Sequence, residues 1–301
     1  MPQDFRRYLF RKTAYLVLTV FLILTFNFVL FRVMPGDVTR ILIPKGADEE
    51  TINRLTEYYG LDRPLLEQYF KYLKQMFTGQ LGESLTVYVG SRIEDVLAPF
   101  LVNTLILVGI GTVLSIVVGM YLGKESAWKR GRITGQIWST FFIIFYCTPT
   151  FLFALAMITL IAMLSPDWPI KGALGEDYES YNFLEKLADR TVHTVIPLFA
   201  LVIESVSAFS IITRSSLTDV MTEEHRVTAV AKGLPSRDIL RNHAMPNAML
   251  PVVTVIAMDF GWVISGAIMI EIVFSYQGLG YLEWRAVVGY DFPLLQVIFM
   301  I

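Results

Sequence analysis

TEEHRVTAVAKGLPSRDILRNHAMPNAMLP, running from Thr222 to Pro251, is a polar interruption between two long apolar runs. Its reading decides what the rest of the chain is. The runs on either side, 195–213 and 247–273, are each near the ~20 residues that carry a helix across ~30 Å of hydrocarbon. The interruption is therefore expected to be a loop emerging on one face of a membrane. The fold class that follows is an all-α polytopic membrane protein.

The remaining chain agrees with that reading. It is 54% hydrophobic and only 17% charged, far from the balance of a soluble domain. Further apolar blocks fall at 13–33, 100–123 and 135–164, and a sixth starts near Phe292. That last block reaches Ile301 after about ten residues, short of a span, so the sixth helix is expected to be partial here. The short alternating segments of an outer-membrane barrel are absent from the sequence. A net charge of −2 without a basic tract gives no reason to expect nucleic acid. Cys147, the single cysteine, excludes an intramolecular disulfide. His193, His225 and His243 have no partners at metal-ligand spacing, so no metal site is expected.

Charge sets the expected orientation. Residues 1–12 carry Arg6, Arg7, Arg11 and Lys12 ahead of the first block. That block is too long for a signal peptide and lacks a cleavage site, so it reads as an uncleaved first span. The 124–134 loop holds Lys124, Lys129, Arg130 and Arg132, and the 214–246 loop holds Arg214, Arg226, Lys232, Arg237 and Arg241. The 165–194 loop is instead acidic. By the positive-inside rule the N-terminus and the two basic loops face the cytoplasm. The 34–99 segment then lies outside. Within it, Pro64 to Phe77 repeats apolar residues at helical spacing between a proline start and the stop at Gly79. This amphipathic helix either covers the bundle, lies at the interface or docks an external partner. Pro149, midway through the third block, predicts a kink that serves packing or a hinge.

The 222–251 loop has the devices of a stiff knob. Thr222 is a candidate N-cap, and Glu223 and Glu224 suit the first helical turn. Thr228, Ala229 and Ala231 allow another surface to approach closely. Gly233 suits a left-handed cap, Pro235 stops the helix, and Ser236 can cap a second one. An ordinary loop could carry the same features.

At this point the sequence resembles the dipeptide/oligopeptide permease family of ABC importers. Thr228–Leu234 and His243–Thr254 are close to that family's "TARAKGL" and "HAL-RNALLPVVT". Met34-Pro35-Gly36-Asp37 matches its "PGD", Gly60–Leu65 its "GLDRPL", and Gly79–Ser84 its "GDLGxS". Glu271, Val273, Phe274, Gly278, Leu279 and Gly280 match "ETVFSWPGLG". Val227, His243 and Met245 depart from the broader permease signature. The order and spacing of these motifs cover essentially the whole chain.

The resemblance implies a six-helix permease in a bacterial or archaeal inner membrane, with the 214–246 loop as its coupling loop. It implies a second, homologous permease subunit forming a heterodimer, two ABC ATPase subunits and an extracytoplasmic solute-binding protein. ATP and Mg would sit on the ATPase partners, because no Walker A phosphate loop occurs in this sequence. No catalytic residue is expected. Thr228, Ala229, Lys232 and Gly233 are the candidate coupling face, with Glu224 and Arg226 as polar anchors. Members of the family carry peptides, nickel or oligosaccharides, and peptides are the substrate favoured here.

Ionisable residues inside apolar blocks are costly and hence functional candidates. Glu204 and Asp259 lie about halfway along their blocks and Glu271 near the outer end of its block. Glu204 and Asp259 either line a translocation path or contact a substrate amino group, or else pair with a neighbouring helix or the partner permease. Glu271, which matches a family position, serves as a gate or cap of that path or has a structural role. A proton-coupled secondary transporter built on Glu204 and Asp259 is the alternative reading, and an intramembrane protease a more distant one. The 167–190 stretch, rich in acids and tyrosines, caps the bundle or contacts the binding protein.

Overall fold

The computed structural model describes residues 3–33, 48–222, 233, 235, 238–265 and 267–301. They form two compact units, Met1–Pro99 with Leu282–Ile301, and Phe100–Tyr281.

The first unit is built on α1, Gln3–Val33. Most of this helix is exposed and apolar on every side, but Leu24, Asn27, Phe28, Phe31 and Arg32 near its C-terminal end are buried. A helix apolar all round belongs in lipid rather than water. Two helices follow: α2, Glu49–Tyr59, and α3, Leu65–Thr78. The α3 helix falls on the amphipathic repeat read from the sequence, begins after Pro64 and ends at Gly79 with φ +70°. The sequence reading did not anticipate α2, whose run is mostly polar. Its signals are Asp48, which accepts from the Thr51 N–H at 3.3 Å, and Gly60 at φ +65°. Hydrogen bonding from the Thr51 side chain, and then from this N–H cap, holds the Asp48 carboxyl below its ordinary range. Leu55, Tyr59 and Leu85 form a small core, and burial pushes the Tyr59 phenol well up. The unit also takes the first part of α4, Ile93–Thr104, and α12, Phe292–Ile298. Asn27 Nδ2 donates to the Gln296 carbonyl at 2.8 Å, tying α1 to α12.

The second unit centres on two long helices. A π-helical turn, Leu105–Gly109, joins α4 to α5, Ile110–Trp128. Gly111, Ser115, Gly119 and Gly123 recur every fourth residue on α5 and are buried. They face α8, Phe183–Thr222. A Cβ placed on Gly119 would lie 2.5 Å from Phe209 Cβ, and one on Gly123 2.6 Å from the Ser210 carbonyl oxygen. Ser210 Oγ donates to the Gly119 carbonyl at 3.1 Å. Small residues let membrane helix backbones meet, since between such helices packing replaces the hydrophobic drive.

Several helix limits differ from the apolar blocks. The 135–164 block is two helices, α6, Ile133–Cys147, and α7, Thr150–Leu164, bent by 97° at Thr148–Pro149. The expected kink is a full break, because Pro149 cannot donate its missing N–H to a continuing ladder. The α8 helix has 40 residues and far outruns its apolar core at 195–213. At 1.5 Å per residue it is ~60 Å long, about twice the hydrocarbon thickness. It starts in a capping box: Asn182 Oδ1 accepts from the Leu184 and Glu185 N–H groups, and Glu185 accepts from the Asn182 N–H. Thr222 is the last residue of α8, which corrects its reading as an N-cap. The 247–273 block is likewise divided into α9, Met245–Ser265, and α10, Ile268–Val273, and is followed by α11, Leu279–Val288.

Among the described residues, three helical stretches are long and apolar enough to cross a bilayer: Phe5–Arg32, Ile93–Trp128 and Phe183–Met221. The bent α6–α7 pair makes a fourth if it is one span.

Candidate coupling and translocation sites

The base of the 222–251 loop is a junction of small and apolar side chains. Ala127 of α5, Leu217 of α8 and Ala244 and Ala248 of the returning chain are buried together, with Val220, Met221, Leu240 and Met245 around them. Ser216 Oγ donates to the Ala248 carbonyl at 2.7 Å, which fixes α8 against the start of α9. The return enters through a π-helical turn, Ile239–Ala244. Gly233 has φ +74°, the left-handed conformation its place called for, and a Cβ there would meet no atom of the described residues within 4 Å. Glu224, Arg226, Thr228, Ala229 and Lys232 lie outside the described residues, as does Ser236.

The three ionisable candidates occupy different surroundings, and among the described residues no hydrogen bond or ion pair joins them. Glu204 is half-buried on α8 and accepts a hydrogen bond from Thr150 Oγ1. Thr150 is the first residue of α7, directly after the break. A carboxylate is thereby held where two of the helical segments change direction. Asp259 is half-buried on α9.

Glu271 has no open face. It is fully buried, accepts from Thr104 Oγ1 at 2.9 Å and from the Tyr281 N–H at 3.0 Å. Thr104 Oγ1 in turn accepts from the Leu279 N–H at 2.7 Å. The chain folds tightly over the acid at Gly278, where a Cβ would stand 2.5 Å from both carboxylate oxygens. Within this chain its carboxylate is taken up in pinning α4 to the turn between α10 and α11.

Several residues at these turns were missed from sequence. Gln277 accepts from Asn103 Nδ2 at 2.8 Å through its carbonyl and from the Ala173 N–H at 2.6 Å through its side chain. Arg190 donates to Asn103 Oδ1 at 3.2 Å. Asp291, also fully buried, organises the first unit. Only Asp291 carried a signal, since Asp-Phe-Pro at 291–293 is an N-cap followed by a proline in the first helical turn.

Several helices long and apolar enough to cross a bilayer, with one further pair sharply bent, define the class of multi-pass helical membrane proteins. The chain belongs to the family of binding-protein-dependent transport system inner membrane components, whose model matches residues 115–301, and the family's N-terminal model matches residues 5–87. It is 34% identical over 262 residues to the inner membrane ABC transporter permease protein YejB of Escherichia coli O157:H7, covering 83% of this chain and 69% of that one. It is 29% identical to the probable peptide ABC transporter permease protein y4tP of Sinorhizobium fredii, covering 98% and 91%. The same 29% identity, again covering 98% and 91%, relates it to the oligopeptide transport system permease protein AppB of Bacillus subtilis. The protein is accordingly a multi-pass inner-membrane permease subunit that functions with ATPase and solute-binding partners, and the family is not itself enzymatic.

Proposed function

We propose that this chain is the permease subunit of an ABC importer that carries peptides handed over by an extracytoplasmic solute-binding protein. The observation that carries the reading is similarity along almost the whole chain to permeases named for peptide and oligopeptide transport. Membership of a binding-protein-dependent family argues against the self-contained, proton-coupled alternative.

In this reading ATP and Mg bind on two partner ATPases, and a second, homologous permease completes a heterodimeric pathway. The N-terminus and the 214–246 loop face the cytoplasm, as the positive-inside rule requires. Closure of the ATPases drives the loop, with Glu224, Arg226, Thr228, Ala229, Lys232 and Gly233 at the contact. The push enters α8 and α9 through the packed base at Leu217, Ala244 and Ala248. A push shifts the inward–outward equilibrium only by the difference in contact energy between the two states. A rigid base is what keeps that difference from being lost in loop bending. Glu204 and Asp259 are the candidates for the polar path.

The test is reconstitution of the chain with its co-expressed partners in liposomes. Peptide uptake that requires ATP and the binding protein, and stops with vanadate, is the expected result. Uptake driven by a proton gradient in the chain alone would refute the assignment.

A further inference from the structure

The α3 helix carries more apolar surface than the protein covers. Its Tyr69, Tyr72, Leu73 and Met76 pack on Leu24 and Phe28 of α1. Phe28 lies 5.2 Å from Tyr69 edge-on and 5.5 Å from Tyr72. Beside that packed face runs a second apolar strip, Leu66, Phe70, Leu73 and Phe77, at spacings of four, three and four residues. Such positions share one side of a helix. Leu66, Phe70 and Phe77 are 67%, 62% and 76% exposed. Glu67, Lys71, Lys74 and Thr78 form the polar flank next to it, about 100° further round the helix.

The depth of the strip follows from α1. From Lys12 to Arg32 is 20 residues, ~30 Å of helix and one hydrocarbon thickness. Thr25 stands seven residues before Arg32, ~10 Å beneath that end of the span. Tyr69 is fastened to it: the hydroxyls of Thr25 and Tyr69 are 2.6 Å apart. Thr25 gives its own proton to the Phe21 carbonyl at 2.7 Å, so Tyr69 is the donor. Hence α3 is held beside α1 at hydrocarbon depth. At that level α1 itself exposes Phe26, Val29 and Leu30.

We propose that α3 is an interfacial helix embedded side-on in the bilayer leaflet at the C-terminal end of α1, its Leu66–Phe70–Leu73–Phe77 strip against lipid acyl chains. That leaflet is the outer one under the topology given above, but the insertion does not rest on which side it is. The partner is lipid rather than protein because Tyr69, on the same helix, is bonded at hydrocarbon depth to a helix long and apolar enough to cross the bilayer. A helix so placed sinks its apolar side ~5–10 Å below the headgroups and leaves its charges at the water boundary. Its consequence is that the region after the first span is moored to the membrane on its own.

The test uses the full chain, co-purified with its partner subunits, carrying Cys147→Ser to remove the exposed native thiol. Single substitutions Leu66→Cys, Phe70→Cys, Phe77→Cys and Lys74→Cys are labelled with an environment-sensitive fluorophore in phosphatidylcholine nanodiscs. Probes at 66, 70 and 77 are expected to be quenched severalfold more by doxyl-labelled lipid than by aqueous iodide, and the probe at 74 to show the reverse. Iodide quenching of all four without a lipid effect would overturn the proposal. So would loss of lipid quenching when purified solute-binding protein is added, which would assign the strip to a protein partner.

Discussion

Ser84 Oγ donates to Asp291 Oδ2 at 2.6 Å, although the two residues are 207 apart in the chain. The same oxygen accepts the backbone N–H groups of Leu85, Thr86 and Val87, each at 3.0 Å. Oδ1 accepts from the Leu294 N–H at 3.3 Å and so caps α12. Ser84 Oγ is in turn the acceptor for the Tyr88 N–H at 2.8 Å, and Arg285 donates to the Tyr88 hydroxyl at 3.1 Å. A buried carboxylate is tolerable only when its charge is met by donors in this way. Tyr290, next to it, is held at φ +56°, an uncommon conformation for a bulky residue.

Removing that carboxylate strands several buried donors at once. Asp291→Ala is expected to cost ~3–5 kcal/mol, since each unsatisfied buried group costs ~1–3 kcal/mol and relaxation recovers part. Asp291→Asn keeps an acceptor and should cost less. Thermal unfolding of the purified complex, with protease susceptibility of the 84–92 loop, reads both. An Asp291→Ala protein as stable as the parent would remove the clip from the account.

Gly278 and Glu271 should behave as a coupled pair. Gly278→Ala drives a methyl into the carboxylate and is expected to destabilise the protein by ~2 kcal/mol or more. The double variant with Glu271→Ala should lose markedly less than the sum of the two single losses. Strict additivity would show that the turn does not rest on the acid.

Two glycines of the same helical stretch should part company. Gly119→Val forces α5 away from Phe209 and should abolish assembly or cut expression strongly. Gly109→Ala meets nothing within 4 Å among the described residues and has helical φ −63°. It should be neutral or stabilising by ~0.5–1 kcal/mol. Membrane expression and thermal midpoint, measured side by side, distinguish them.

Gly233→Val places a β-branched residue at a left-handed position, a strain of order 1–2 kcal/mol. Because Gly233 lies in the polar loop outside the apolar blocks, insertion into the membrane should survive. Under the proposed function, ATP hydrolysis by the partners should then continue while peptide uptake falls. Unchanged coupling, measured as peptide transported per ATP, would count against a contact at this turn.

Glu204→Gln retains an acceptor for Thr150 and removes only the charge. If Glu204 faces the path, uptake of peptides with a free amino terminus should drop relative to N-acetylated peptides. Equal changes for both would make Glu204 a structural partner of the α7 start.

The all-α, multi-pass class was readable because ~20 apolar residues in a row admit few alternatives to a helix in lipid. Helix ends were not. Apolar blocks report where lipid lies, whereas α8 continues through polar turns at both ends because capping by Asn182 and packing on α5 sustain it. The buried roles of Glu271 and Asp291 were illegible too, since their partners, Thr104 and Ser84, are brought to them only by long-range folding.

The chain's order of apolar and charged segments, with its motifs, determined by itself that it is an all-α membrane permease subunit of the binding-protein-dependent kind. Hydrophobicity and motif spacing are local properties written along the polymer. Tertiary structure alone decided which acids are spent on holding turns, where a span breaks, and which side of α3 remains uncovered. Those are matters of who meets whom, and a buried charge acquires its role from the donors that surround it.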